Sequence, residues 1–267
     1  MVRFRTDVNQ PHSSGTGLPP WGPFAAWQFL TRVPIRLRSA PSLPASVTWF
    51  PIVGAVIGAM VGGVAAGMWH LVPPLLAAAT AVIVGLLITG AFHEDGLADC
   101  ADAFGGGWTV ERRLEILKDS RHGTYGVAAL GSSIILRIVA LGSLPGPAMM
   151  FAAAIAAHTI GRVAAVGLAG FGPMSTNPGL GTDFGRSTTA GRATVGCLAG
   201  LVLTALTLAW MATGWWIGPL IGVSIAAATI VGLLAHRKLG GISGDVLGAT
   251  EQVAEILTLI VLVALAT

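Results

Sequence analysis

The sequence predicts an all-α, polytopic integral membrane bundle of about seven transmembrane helices plus an N-terminal interfacial helix, with its active site at the cytoplasmic face. Three observations carry that prediction. The 267 residues are 54% hydrophobic and only 10% charged, with mean hydropathy +0.77, whereas a soluble domain carries about 25% charged residues. Apolar stretches near the roughly 20 residues needed to cross a bilayer recur seven times. Lysine and arginine, finally, collect in alternate connections.

The chain divides into a polar tail, 1–20, expected to be disordered, and a single transmembrane catalytic domain, 21–267. In the tail Arg3 and Arg5 lead into "TDVNQPHSSGTGLPP" and not into an apolar stretch, so a signal peptide is not expected. Residues 22–35, "GPFAAWQFLTRVPI", are too short and interrupted to span and suit an interfacial helix. The spans then fall at 46–69, 75–92, 124–144, 148–171, 193–213, 216–235 and 251–267. Trp49 and Trp69 bracket the first of them as interface anchors. Within it Gly54, Gly58 and Gly62, and then Gly63 and Gly67, recur at the four-residue spacing that lets helix backbones approach closely.

Connections near 70–75, 145–147 and 213–219 hold no Lys, Arg, Asp or Glu. The others hold Arg112, Arg113, Lys118 and Arg121, then Arg186 and Arg192, then Arg237 and Lys238. The positive-inside rule turns that alternation into a cytoplasmic N-terminus, a C-terminus across the membrane and polar loops gathered at the cytoplasmic face, where any chemistry is expected. The net charge of +3 reflects these flanks and not a nucleic-acid surface. Cys100 and Cys197 have neither zinc-site nor disulfide-framework spacing.

Seven of the twelve acids lie between 94 and 119, and "HEDGLADCADAF" (93–104) holds four of them. If the second span continues as helix into the cytoplasm, Asp95, Asp99 and Asp102 stand at i, i+4 and i+7 on one face. Like charges in a stripe destabilise a bare helix, and a bound divalent cation reverses the sign. Carboxylates select hard ions, and Mg2+ takes one or two of them plus water and phosphate oxygens. Gly96, unfavourable in a helix interior, points to close approach of a ligand or another backbone. Downstream, "GGG" (105–107) and "KDSRHGTYG" (118–126) bring Lys118 and Arg121 for phosphate and Ser120 and Thr124 as hydrogen-bond donors. Together these suggest a magnesium–diphosphate site, while Glu111 and Glu115 read as surface charges. Asp245, set among glycines, and Arg162, one turn from His158 inside a span, complete the candidate substrate-binding set. Glu255 lies too deep in the last span to face lipid.

"FLTRVPI" (29–35), "WFPIVGAVIG" (49–58), "HEDGLADCADAFGGG" (93–107), "KDSRHGTYGVAAL" (118–130) and "GGISGDVLGATEQVAE" (240–255) closely resemble the cobalamin synthase family, the adenosylcobinamide-GDP ribazoletransferases. The resemblance covers most of the chain apart from the tail. It implies a membrane enzyme that joins adenosylcobinamide-GDP to α-ribazole or its 5′-phosphate with Mg2+, releasing GMP, late in vitamin B12 nucleotide-loop assembly. Homo-oligomerisation is left open. Ala91 and Ala103 stand where the family pattern leads one to expect glycine, and Cys100 where threonine is expected. On this reading Asp95, Asp99 and Asp102, with Glu94 close by, hold the metal, and the general base is Asp102, Asp119 or His93. Two other readings compete. A CDP-alcohol phosphotransferase has a different aspartate order, and an ion-coupled transporter would place its acids near the bilayer midplane in repeated halves.

Overall fold

The computed structural model describes residues 22–35, 46–175 and 180–267; the tail expected to be disordered lies outside the described residues. Those residues form helices and connections, with a single isolated bridge, Met174 to Ile242, and no strand among them.

The hub is the helix of Pro147–Phe171, here α7. Most of its surface is buried, and the other long helices pack around it. Helix α1 is Gly22–Leu30, and α2, Phe50–Met68, follows a short 3-10 turn. Gly54, Gly58 and Gly62 are what allow α2 to lie against α7. A Cβ at Gly54 would sit 2.6 Å from the His158 carbonyl oxygen, and one at Gly62 would sit 2.8 Å from that of Phe151. The second pair differs: nothing lies within 4 Å of a Cβ at Gly63 or Gly67, so only the first three glycines serve the packing.

Helix α3, Pro74–Thr89, begins with proline in its first turn and ends at Gly90 in the left-handed region, φ 68°. Ala91 is left-handed as well, φ 55°. Two such residues in succession cannot continue a right-handed helix. The acid-bearing stretch therefore starts afresh as α4, Phe92–Gly106, bent 91° from α3. This corrects the expectation that the second span runs straight on into the acids. The helix is real and the i, i+4, i+7 stripe stands, but α4 lies across the end of the bundle. Arg32 fixes the bend from outside: its amide donates to the Ile88 carbonyl at 2.7 Å, and its side chain covers Gly90. Alanine in the left-handed region costs about 1–2 kcal/mol relative to glycine. Ala91→Gly is therefore expected to raise stability by about 1 kcal/mol, read as a higher unfolding midpoint in detergent; no rise would show the turn unstrained.

The remaining elements are α5 (Val110–Ile116), α6 (Thr124–Gly142), α8 (Leu180–Ser187), α9 (Ala190–Trp210), α10 (Ile217–Leu239) and α11 (Gly244–Ala266). Among the described residues six helical segments are each long and apolar enough to cross a membrane, and the bent α3–α4 pair, taken as one span, brings the number to seven. Helix α10 runs through Arg237 and Lys238, which favour its C-terminal dipole, and α11 starts at Gly244, not 251. Ser243 caps α11 by accepting from the Val246 amide. Apolar windows stop at charges; helices do not.

Candidate active site

Helix α4 is held against α11 by small residues. A Cβ at Gly96 would meet the Asp245 carbonyl oxygen at 2.8 Å, so the close approach that this glycine signals is to a backbone. The stripe then faces the start of α6. Asp95 is 64% exposed and Asp99 16%, and between them sits His122, with Nε2 3.6 Å from one carboxylate and Nδ1 3.5 Å from the other. One ligand atom from each of the three lies within 4.8 Å of the others, close enough to share a cation. Burial, and then the charges of Asp95 and Asp245, push the Asp99 carboxyl up to about 6. A group that resists ionisation because its neighbours are negative is one that a divalent cation would strongly re-ionise.

Asp102 has another occupation. Its Oδ2 accepts from the Gly123 amide at 2.6 Å and its Oδ1 from the Gly126 amide at 2.8 Å. These are donors at the start of α6, where Gly123 has no side chain of its own to cap the helix. Asp102 caps α6 from across the interface and fixes the loop that carries His122. A Cβ at Gly126 would collide with this carboxylate, so glycine there is part of the cap. With both oxygens engaged, Asp102 is placed to position the site more than to take a proton.

The loop before α6 lies on the exposed side. Lys118, Ser120, Arg121 and Thr124 are all exposed. Arg121 clasps Asp119 with Nε to Oδ1 at 3.0 Å and a terminal nitrogen to Oδ2 at 2.8 Å. That pairing holds the Asp119 carboxyl down at about 2, which makes it a poor base near neutral pH. The glycine run is structural. A Cβ at Gly105 would strike the Tyr125 ring, and Gly107 accepts from Arg113 Nε through its carbonyl at 2.9 Å. Glu115 pairs with Arg112 at the surface, as expected.

His93 and Glu94 point away from the stripe into a buried polar layer. Arg137 pairs with Glu94 at 2.9 Å and Glu255 at 3.2 Å. Arg162 contacts Glu251 and lies 3.3 Å from Glu255 and 3.0 Å from His158 Nδ1. Gln252 links Glu251, Glu94 and Ser133. From the start of α11, Glu251 and Glu255 lie roughly 10 and 16 Å along the helix at 1.5 Å per residue. His158, Glu251 and Glu255 also converge closely enough for a metal, but two guanidinium groups already supply the positive charge there. Glu94 therefore belongs to this layer and not to the Asp95–Asp99 group, and His93 and Arg162 sit beside it. Asp245 stays near the stripe, through its effect on Asp99.

Sequence reasoning passed over His122, although it stands inside the quoted "KDSRHGTYG". No helical spacing links it to Asp95 and Asp99, because only the Asp102 cap brings the loop back. The pairing of Glu94 with Arg137 was equally hidden, since the two are neighbours only after the bend.

The model of the cobalamin-5-phosphate synthase family matches residues 22–263. Among relatives, the adenosylcobinamide-GDP ribazoletransferase of Shewanella woodyi is 37% identical over 246 residues, 87% of this chain and 91% of that protein. That of Ralstonia nicotianae is 38% identical over 250 residues, 88% and 92% of the two chains, and that of Chlorobaculum tepidum 37% over 236, 88% and 91%. No solved structure matches this chain. With nearly the whole domain matched, and the motif-bearing helices α4, α6 and α11 inside the match, the chain belongs to the cobalamin-5-phosphate synthase family.

Proposed function

We propose that this protein transfers the phosphocobinamide moiety of adenosylcobinamide-GDP to α-ribazole or its 5′-phosphate, forming the cobalamin or its phosphate and releasing GMP. The observation that carries the reading is the convergence of Asp95, Asp99 and His122 with the Lys118–Arg121 loop at one end of the bundle, in a chain of this family. The alternation of basic connections makes that end cytoplasmic in the inner membrane, where a nucleotide-activated substrate is available.

The two carboxylates, with excess negative charge, fit a hard divalent cation, and the His122 imidazole beside them is left for proton transfer. Asp95 and Asp99 would hold Mg2+, which when bound supplies charge neutralisation to the diphosphate. The rest is done by the chain's own groups. Lys118 and the Asp119-braced Arg121 receive the phosphate of the departing GMP. The ribazole hydroxyl attacks the phosphorus attached to cobinamide, the bond from that phosphorus to the GMP oxygen breaks, and the hydroxyl proton passes to His122. An imidazole suits proton transfer near neutrality, whereas Asp119 is paired with Arg121 and both Asp102 oxygens accept from backbone amides. The amides on Asp102 keep the His122 loop registered against α4.

Purified protein given adenosylcobinamide-GDP, α-ribazole and Mg2+ is expected to release one GMP per corrinoid transferred, and to stop when the metal is chelated. CDP-alcohols should give no turnover. Failure of GMP release with every acceptor, or full activity in excess chelator, would overturn the activity or the metal dependence respectively.

A further inference from the structure

Beside the first turn of α4, where the acid stripe begins, lies a narrow, largely apolar slot. Phe29 from α1, Phe50 from α2 and Phe92 from α4 form its aromatic side. Phe29 is stacked on Phe50 at 5.4 Å between ring centroids and meets Phe92 edge-on at 5.3 Å. Its floor is polar, made by His93, Arg162 and Glu251. His93 and Arg162 are 6% and 2% exposed, yet His93 Nδ1 and Arg162 Nε have no hydrogen-bond partner. Glu251 Oε2 stands 3.8 Å from that imidazole nitrogen, beyond bonding distance. Buried polar atoms left in this state cost roughly 1–3 kcal/mol each, so their presence inside an apolar slot calls for an occupant that pairs with them.

We propose that this slot receives the base of the acceptor nucleoside. The inference rests on the ribazole transfer proposed above and adds where the acceptor sits. The α-ribazole base is a flat, fused ring system with two methyl groups and one unsubstituted ring nitrogen. The phenylalanine side offers stacking and edge contacts to the ring, while His93 or Arg162 donates an N–H to the nitrogen. A lipid chain in the same place would bury the polar floor against hydrocarbon and pair with none of it. The slot also adjoins the chemistry. Gly244 lines it and the next residue, Asp245, acts on Asp99; His93 lines it and Asp95 follows two residues later. A nucleoside held by its base there presents its ribose around the start of α4 and α11, toward the acids. Phe92, 42% exposed, stands at the rim and is the side chain that turns aside on entry.

The test uses the full-length protein in detergent. With wild type, replacing α-ribazole by the indole riboside, which keeps the fused ring but lacks the acceptor nitrogen, should raise the acceptor KM at least tenfold. Ala165→Leu, which fills the slot from α7, should raise the α-ribazole KM at least tenfold and leave the KM for adenosylcobinamide-GDP within twofold; that second constant also reports an intact fold. Equal KM values for the two ribosides, or an Ala165→Leu enzyme whose two constants are unchanged or rise together, would overturn the assignment. Recovery of that variant by added phospholipid would overturn it in favour of a lipid occupant. Should wild type transfer to no acceptor, the proposed activity falls, and the slot is judged by direct calorimetric titration with α-ribazole. Binding weakened tenfold by Ala165→Leu supports it, and no difference removes it.

Discussion

Asp99→Asn protein is expected to lose at least a hundredfold in transfer rate at saturating Mg2+, about 2.7 kcal/mol of transition-state stabilisation, while unfolding no more easily than the parent. The two readouts move apart for a physical reason. Asn keeps the shape of the side chain but removes the charge that a divalent ion requires. It also relieves the burial of a charge and the repulsion from Asp95 and Asp245 that together push the Asp99 carboxyl up to about 6, so the metal-free fold should be as stable or slightly more so. Asp95→Asn, at a far more exposed position, should follow the same pattern more weakly. A parent-like rate for Asp99→Asn with magnesium would remove the metal site; a parallel collapse in stability would make the residue structural instead. Paired measurements of turnover and thermal unfolding in detergent decide between these.

The second large effect belongs to the buried layer. Arg162→Met is expected to destabilise the fold by about 3–5 kcal/mol, because it strands Glu251 among apolar helices and leaves Glu255 with only Arg137 and His158. The penalty comes from the unpaired charge more than from the lost attraction, so the double variant Arg162→Met with Glu251→Gln should regain most of it. An unfolding midpoint for Arg162→Met equal to that of the parent would show that the layer does not hold the bundle together. A double variant no better than the single would assign the loss to packing alone.

Much of this was legible in the sequence, and what was not has a common cause. Hydropathy located the long helices and the glycine spacing marked α2 as a closely packed helix, since both depend on residues near one another in the chain, while its partner α7 emerged only from the structure. His158 and Arg162, one turn apart, were readable for the same reason: they touch each other and share Glu255, although they line two different cavities and not the single pocket that their spacing suggests. The right angle between α3 and α4 was not readable: it rests on Ala91 adopting a left-handed conformation that alanine rarely takes. Once that turn is made, adjacent residues part company. Asp95 looks toward His122, while Glu94 looks toward Arg137, forty-three residues on in the chain. The Asp102 cap is a similar case, because a carboxylate in an acidic stripe reads as a metal ligand until its two amide partners are in view.

The last helix has a consequence for how the protein is made. Arg137 and Arg162 belong to α6 and α7, yet Glu251 and Glu255 reside on α11, which is synthesised after both. During synthesis the two arginines therefore enter the membrane with Glu94 as the one acidic group available to them among the contacts of this layer. A chain interrupted before residue 244 would also lack Asp245 and the wall that α11 gives to α4. Insertion of α11 and maturation of the site are thus one event, and a chain that lacks it carries its own mark for disposal: two arginines in the membrane that share a single carboxylate of this layer.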